Sequence, residues 1–319
     1  MNIYWFQDSK TGHLKQVQTL LDQLKKETEL SITNINDSNQ ESFSEIFSDK
    51  DQINGPTILI GAGHDVYSKI LRAKKYLQKF ISKDIFSIAV LRPSYKLNSF
   101  DLIIAPEHDF KKRRLPKNII LFQGALAATS QNPIDESKAI IAIGGPSKHY
   151  KFDQEILMKQ LQYIISVHPK HEFKIYNSRR TPDSLNIKLK DELNNFSNAK
   201  FIDLNSTESD TFQDSLNISS LKFVTPDSSN LVFEALSAMG QTYLIQIERP
   251  TYRRICGTKK IRESMNQLVN SRRVGVVSIL NKKAGIDISK IEPPSQHVEP
   301  MAEIEKVSSS ILKFINQEK

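Results

Sequence analysis

Short apolar runs alternate with segments of helical period along most of the chain, and this alternation limits the available folds more than any other feature. Ile3 to Phe6 reads as a strand, after which Leu14, Val17, Leu20, Leu21 and Leu24 recur at helical spacing. Leu30 to Ile35 and Pro56 to Ile60 are further strand candidates, and Val66, Ile70, Leu71 and Tyr76 to Phe80 suggest a helix. Strands at Phe86 to Leu91, Leu102 to Ala105 and Asn118 to Phe122 complete a first series. Strands separated by helices predict parallel sheets covered on both faces.

The alternation pauses from Gly124 to Ser137, where residues are small and aperiodic, and resumes at Ala139. Ile156, Leu157, Leu161, Ile164 and Ile165 line a helical face. Phe173 to Tyr176, Phe201 to Leu204, Phe223-Val224, Tyr243 to Ile247 and Val274 to Ile279 are strand candidates. The predicted division is an α/β domain over 1–125, a linker over 126–137, a second α/β domain over 138–300 and a C-terminal helix over 301–319 that can pack back on the first domain. A chain of 319 residues is long enough for two such cores. Facing each other, they would set the carboxyl ends of both sheets around one cleft.

Three loops in the second series have the composition of anion-binding turns. The first is Gly144-Gly145-Pro146-Ser147-Lys148-His149, where glycines let backbone N–H groups converge on a phosphate and a helix opening near Asp153 would add amides. The second is Ser178-Arg179-Arg180-Thr181-Pro182, with Thr181 as the expected helix cap, Pro182 at the first helical position and two arginines just before it. In the third, Asp227 or Ser228 caps a helix, leaving the Ser228 and Ser229 hydroxyls and free amides at its start. Glu234 lies about two turns along, where its carboxylate can take a ribose diol.

In the first series, the loop Asp8 to His13 offers His13 as a general base or substrate ligand, and Glu107, His108 and Asp109 pack three titratable groups after a strand end. Gly61-Ala62-Gly63-His64 is a poor dinucleotide fingerprint: it lacks a third glycine and follows the third strand, not the first. Lys111 to Arg114, and Arg253, Arg254, Lys259, Lys260 and Arg262, read as basic loops. They lack the interleaved aromatics of nucleic-acid binding. A net charge of +8 favours an anionic partner, whether a nucleotide, a phosphorylated lipid, a membrane surface or a nucleic acid, and the partners expected are a nucleotide-sugar, a phosphorylated lipid or saccharide acceptor and an anionic membrane, with no nucleic acid. The single cysteine, Cys256, excludes an intrachain disulfide; with no signal-peptide pattern and no apolar span, the expected place is the cytoplasm, peripheral to the membrane. Metal-nucleotide Asp-x-Asp, Walker and Gly-x-Ser-x-Gly patterns are absent.

Pro106-Glu107-His108-Asp109, Gln123-Gly124-Ala125-Leu126, Ile143 to Tyr150, Ser178-Arg179-Arg180-Thr181-Pro182 and Asp227-Ser228 with Glu234-Ala235 occur in an order that resembles the mitochondrial-fission ELM family. The resemblance implies a GT-B-like glycosyltransferase of two Rossmann-like domains, in which the C-terminal domain holds a nucleotide-sugar, the N-terminal domain contacts the acceptor, and neither a metal nor another cofactor takes part. It further implies lipopolysaccharide or lipooligosaccharide core assembly at the inner face of the cytoplasmic membrane. Ser9-Lys10-Thr11-Gly12-His13 departs from the Gly-Lys-Pro-Gly-His usual in relatives. A nucleotide-sugar epimerase or hydrolase on the same fold, or a non-catalytic membrane-associated regulator, are the alternative readings.

Overall fold

The structure, a computed structural model, describes residues 1–36, 42–48, 55–80, 84–110, 115–147, 150–204, 211–247, 259–280, 288–295 and 299–317. The chain forms two compact units, one from Met1–Ala128 with Ala302–Lys319 and one from Thr129–Met301.

In the first unit, β1 (Asn2–Gln7), β2 (Ser31–Asn36), β3 (Thr57–Ala62), β4 (Ile85–Val90), β5 (Leu102–Pro106) and β6 (Ile119–Phe122) form a parallel sheet in the order β2-β1-β3-β4-β5-β6. Helices α1 (Thr11–Glu27), α2 (Phe43–Ile46) and α3 (His64–Leu77) connect the first four strands. β3, β4 and β5 are buried at every position, so they read as unbroken apolar runs and not as alternating ones. Val17, Leu20, Leu21 and Leu24 of α1 pack on Ile58, Ile60, Ile88 and Ile104 at one face. Val66, Tyr67, Ile70 and Leu77 of α3 pack on Leu59, Ala89 and Ile103 at the other.

The second unit carries β7 (Asp135–Ala142), β8 (Glu172–Tyr176), β9 (Ala199–Ile202), β10 (Ser219–Val224), β11 (Gln241–Ile245), β12 (Gly275–Leu280) and β13 (Ile288–Glu292), ordered β9-β8-β7-β10-β11-β12-β13. Helices α4 (Gln154–Val167), α5 (Asp183–Leu193), α6 (Thr211–Ile218), α7 (Ser229–Leu236) and α8 (Lys259–Asn270) lie between strands. Its core joins Leu157, Leu161 and Ile164 of α4 and Leu185 and Leu189 of α5 to Ile141, Ile175, Phe223 and Ile245 of the sheet. The final helix, α9 (Glu303–Gln317), belongs to the first unit: Ile304, Val307, Ile311 and Ile315 enter the core that α1 covers, and Ser308 Oγ donates to Glu27 Oε1 at 2.8 Å. At about 1.5–3 kcal/mol per buried aliphatic side chain, those four hold the chain end firmly.

The differences from the sequence reading have local causes. β7 starts at Asp135, inside the expected linker, because its first residues are exposed and polar. The hairpin partner of β12, β13, is an antiparallel edge strand, polar enough to hide its period. Lys260 and Arg262 lie on α8 and not in a loop; Arg253 and Arg254 fall outside the described residues. β10 begins four residues before Phe223 and carries Lys222 fully buried, so its apolar run is broken in sequence but not in the fold. Among the described residues, no helix is long and apolar enough to cross a membrane.

Both sheets have a switch point, a place where consecutive connections leave in opposite directions and strand ends open into a crevice. In the first it lies between β1 and β3, and in the second between β7 and β10.

Candidate functional site

At the second switch point, the loops after β7, β8 and β10 are tied into one joint. Gly144 N–H donates to Thr225 Oγ1 at 2.8 Å and Gly145 N–H to Asp227 Oδ2 at 3.0 Å. Thr181 Oγ1 donates to Gly144 O at 2.5 Å and accepts from Ser178 N–H at 2.8 Å. Arg180 Nη2 stands 2.7 Å from Asp227 Oδ2, while its Nη1 reaches the Gly145 and Pro146 carbonyls at 3.4 and 3.3 Å. The loops approach so closely that a Cβ on Gly144 would collide with the Asp227 carboxylate and one on Gly145 with the Arg180 carbonyl. Behind the joint, Asn177 Nδ2 donates to Asn186 Oδ1 and Asp203 Oδ1, and its Oδ1 accepts from Leu204 N–H, which fixes the β8 loop.

The joint corrects three sequence expectations. The Gly145 amide is occupied by Asp227, so it is a packing donor and not an open phosphate ligand. The helix after that turn is capped by Asp153, which accepts from Glu155 and Ile156 N–H; the amides expected for an anion are answered by the chain's own carboxylate. Thr181 is not the α5 cap: that position is Pro182, because the Thr181 hydroxyl is turned to Gly144.

What remains open on this edge is the start of α7. Ser228 Oγ accepts from Leu231 N–H at a long 3.5 Å, while the amides of Ser229 and Asn230 have no intrahelical acceptor by position. Glu234 is half-buried on the same helix, and Arg179 is exposed beside the joint. Ser147 is half-buried and bridges to Tyr150; Lys148 and His149 lie outside the described residues.

At the first switch point, His13 Nδ1 and Asp8 Oδ2 are 2.6 Å apart, with the Asp8 side chain 3% exposed and that of His13 23%. Asp8 Oδ1 also accepts from Lys10 N–H at 3.1 Å. An ionised Asp8 keeps the proton on Nδ1 and leaves the His13 Nε2 lone pair available. Gly63, at φ +107°, ends β3 against this pair; a side chain there would strike Asp8 Oδ2 and His13 Nδ1, which explains a glycine that the dinucleotide reading could not. Glu107, His108 and Asp109 form a 3-10 turn after β5, with Glu107 exposed and the others half-buried. Burial raises the Tyr67 phenol pKa; a Gly63 backbone hydrogen bond opposes the rise, and the Asp8 and Asp109 charges add to it. Lys111 to Arg114 lie outside the described residues.

The sequence reading passed over Arg92. It follows Leu91, which is held at φ +68° by its N–H bond to Ile104 O at 2.7 Å, and its guanidinium lies 4.8 Å over the Phe110 ring while Nη1 donates to Asp109 O at 3.0 Å. An arginine immediately after a strand run was the available signal. Among the described residues, no group of three His, Cys, Asp or Glu side chains is arranged to hold a metal ion.

Two Rossmann-like α/β units, each with polar loops at its switch point, define a GT-B-like protein. The chain belongs to the mitochondrial fission ELM1 family, whose pattern matches residues 11–315. Its backbone resembles a Listeria monocytogenes protein provisionally assigned as a UDP-N-acetylglucosamine 2-epimerase, with a TM-score of 0.52 and 11% identity over 99% of this chain and 88% of that one. Weaker likenesses are to the Neisseria meningitidis UDP-GlcNAc 2-epimerase bound to UDP-GlcNAc (TM-score 0.48, 13% identity, 99% and 100% covered) and the E. coli ADP-heptose lipopolysaccharide heptosyltransferase II (0.48, 9%, 100% and 99%). At these identities the likeness is one of fold. No curated protein sequence matches significantly.

Proposed function

We propose that the protein is a glycosyltransferase that moves a sugar from a nucleotide-sugar to a hydroxyl of a lipid-linked or lipopolysaccharide-core saccharide, at the inner face of the cytoplasmic membrane and without a cofactor. The observation that carries this reading is the His13–Asp8 pair, a fixed base at one switch point, in a chain whose other switch point offers helix-start amides with a carboxylate further along the helix. His13 Nε2 takes the proton of the acceptor hydroxyl as its oxygen bonds to the anomeric carbon. The bond from that carbon to the diphosphate breaks, and the nucleoside diphosphate leaves with the electron pair. The Ser229 and Asn230 amides, with Arg179 and the exposed part of Arg180, offset the leaving charge, and Glu234 holds the ribose. Asp8 positions the base and stabilises the imidazolium.

The test is calorimetry of UDP, GDP, CMP, ADP and NAD against the full chain and its Glu234→Ala and Lys148→Ala variants, followed by product analysis with donor alone and with donor plus acceptor. One nucleotide should bind, more weakly in the variants, and turnover should need an acceptor. Conversion of donor alone would make the protein an epimerase or hydrolase, and binding of NAD alone, or of no nucleotide, would overturn the reading.

A further inference from the structure

Leu91 is a branched residue held in the left-handed region, a conformation that costs about 1–2 kcal/mol and persists only where surrounding contacts enforce it. Those contacts are specific: its N–H bonds Ile104 O, and the buried Tyr67 hydroxyl donates to Val90 O at 2.7 Å and Leu91 O at 3.1 Å. The turn they enforce carries Arg92 sideways from the end of β4 to the 3-10 turn after β5. There the Phe110 face and the Asp109 carbonyl fix the guanidinium plane. Asp109 offers its carbonyl and not its carboxylate. The side chain is half-buried, its Nε is enclosed without a hydrogen-bond partner, and no carboxylate pairs with it among the described residues. A rigid, partly desolvated guanidinium with one neutral acceptor is an under-compensated charge, and its planar fork matches an oxyanion.

We propose that Arg92 binds an oxyanion of the acceptor, so that the accepting saccharide carries a carboxylate or a phosphate near its reacting hydroxyl. The word acceptor rests on the transferase reading; the anion site does not. Ser94 Oγ and His64 Nε2, 3.3 Å apart on the neighbouring loop and helix start, supply further polar groups on the same edge of the sheet.

The experiment titrates the full chain with glucose 6-phosphate, glucuronate and uncharged methyl glucoside, in wild type, Arg92→Gln and Arg92→Lys. The charged sugars should bind wild type in preference to methyl glucoside, with the stronger of the two naming the anion. Arg92→Gln should weaken them about tenfold, the loss of one charge-assisted contact, and Arg92→Lys less. The wild-type chain gives an independent readout: a charged sugar should slow hydrogen exchange at 91–94 and 107–110, where methyl glucoside does not. Equal affinity in wild type and Arg92→Gln, or no preference for the charged sugars, overturns the proposal. Nucleotide affinity measured alongside keeps the two readings apart, since unchanged nucleotide binding with lost sugar-anion binding in Arg92→Gln isolates the anion site. Sugar-anion binding in a chain that takes no nucleotide would refute the transferase alone.

Discussion

Replacing Asp227 with asparagine asks whether charge holds the three loops of the second unit together. The Asp227 side chain is fully enclosed; Oδ2 accepts from Gly145 N–H and Arg180, and Oδ1 has no partner among the described residues. Asparagine keeps a neutral acceptor toward Gly145 and Arg180 but sets an amide NH2 where Oδ1 stood, buried without an acceptor. Lost charge assistance at about 1 kcal/mol and an orphaned donor at about 1–3 kcal/mol give a destabilisation of about 2–4 kcal/mol. Arg180→Ala should cost less, about 1–2 kcal/mol, because its side chain is 44% exposed and water can enter where the guanidinium stood. The double variant should fall short of the sum by at least about 0.5 kcal/mol, since neither change then strands a charge. Hydrogen exchange reads the joint directly: the Gly144 and Gly145 amides should lose protection in Asp227→Asn. Urea unfolding followed by circular dichroism gives the cost, while fluorescence of Trp5, the chain's single tryptophan, watches the first unit. Additive costs together with unchanged exchange at Gly145 would refute the argument.

Two further outcomes follow from single contacts. His13→Ala should cut turnover by about 10²–10⁴-fold with nucleotide affinity nearly intact, and Asp8→Asn should cut it through the wrong histidine tautomer; turnover unchanged in Asp8→Asn removes Asp8 as the positioning residue. Burial lowers the Lys222 ammonium pKa to about 7, with Arg273 adding to the shift, although the amine also donates to the Ala238 and Met239 carbonyls. The unfolded chain keeps that proton up to about pH 10.4, so it binds more protons than the folded one between those values. Stability should therefore climb from pH 7 toward pH 10, by up to about 1.4 kcal/mol per unit, and show no such contribution below pH 7. Lys222→Met should flatten the climb in pH-resolved urea titrations, and equal slopes in both chains would count against it.

Apolar runs made the sheets legible because β3, β4 and β5 are buried on both faces and have no polar alternation to confuse the period. Polarity blurred two other strands: Lys222 shortened β10 to two readable residues, and the polar edge strand β13 left no signal. The candidate loops were legible for the same reason as the strands, since a loop is located by the strand that ends before it. Their bonding was not. Whether the Gly145 amide faces a ligand or the chain itself is decided by Asp227, 82 residues away, and no local pattern carries that information. Glycine, serine and threonine at strand ends therefore identify close approach without saying what approaches.

Charge compensation separates the two cases better than composition does. Arg180 sits in one of the three loops with the composition of an anion-binding turn, yet an enclosed Asp227 already answers it. Arg92 sits after an ordinary strand with no glycine near, and its only recorded acceptor among the described residues is a neutral carbonyl. Local strain points the same way: Leu91, whose side chain packs against the first unit's core, is held in the left-handed region by contacts that also set the direction of Arg92. A cation held rigid without a counter-charge among the described residues keeps that free energy for a ligand, which is why the acceptor's anion is assigned to Arg92 and not to the glycine turn.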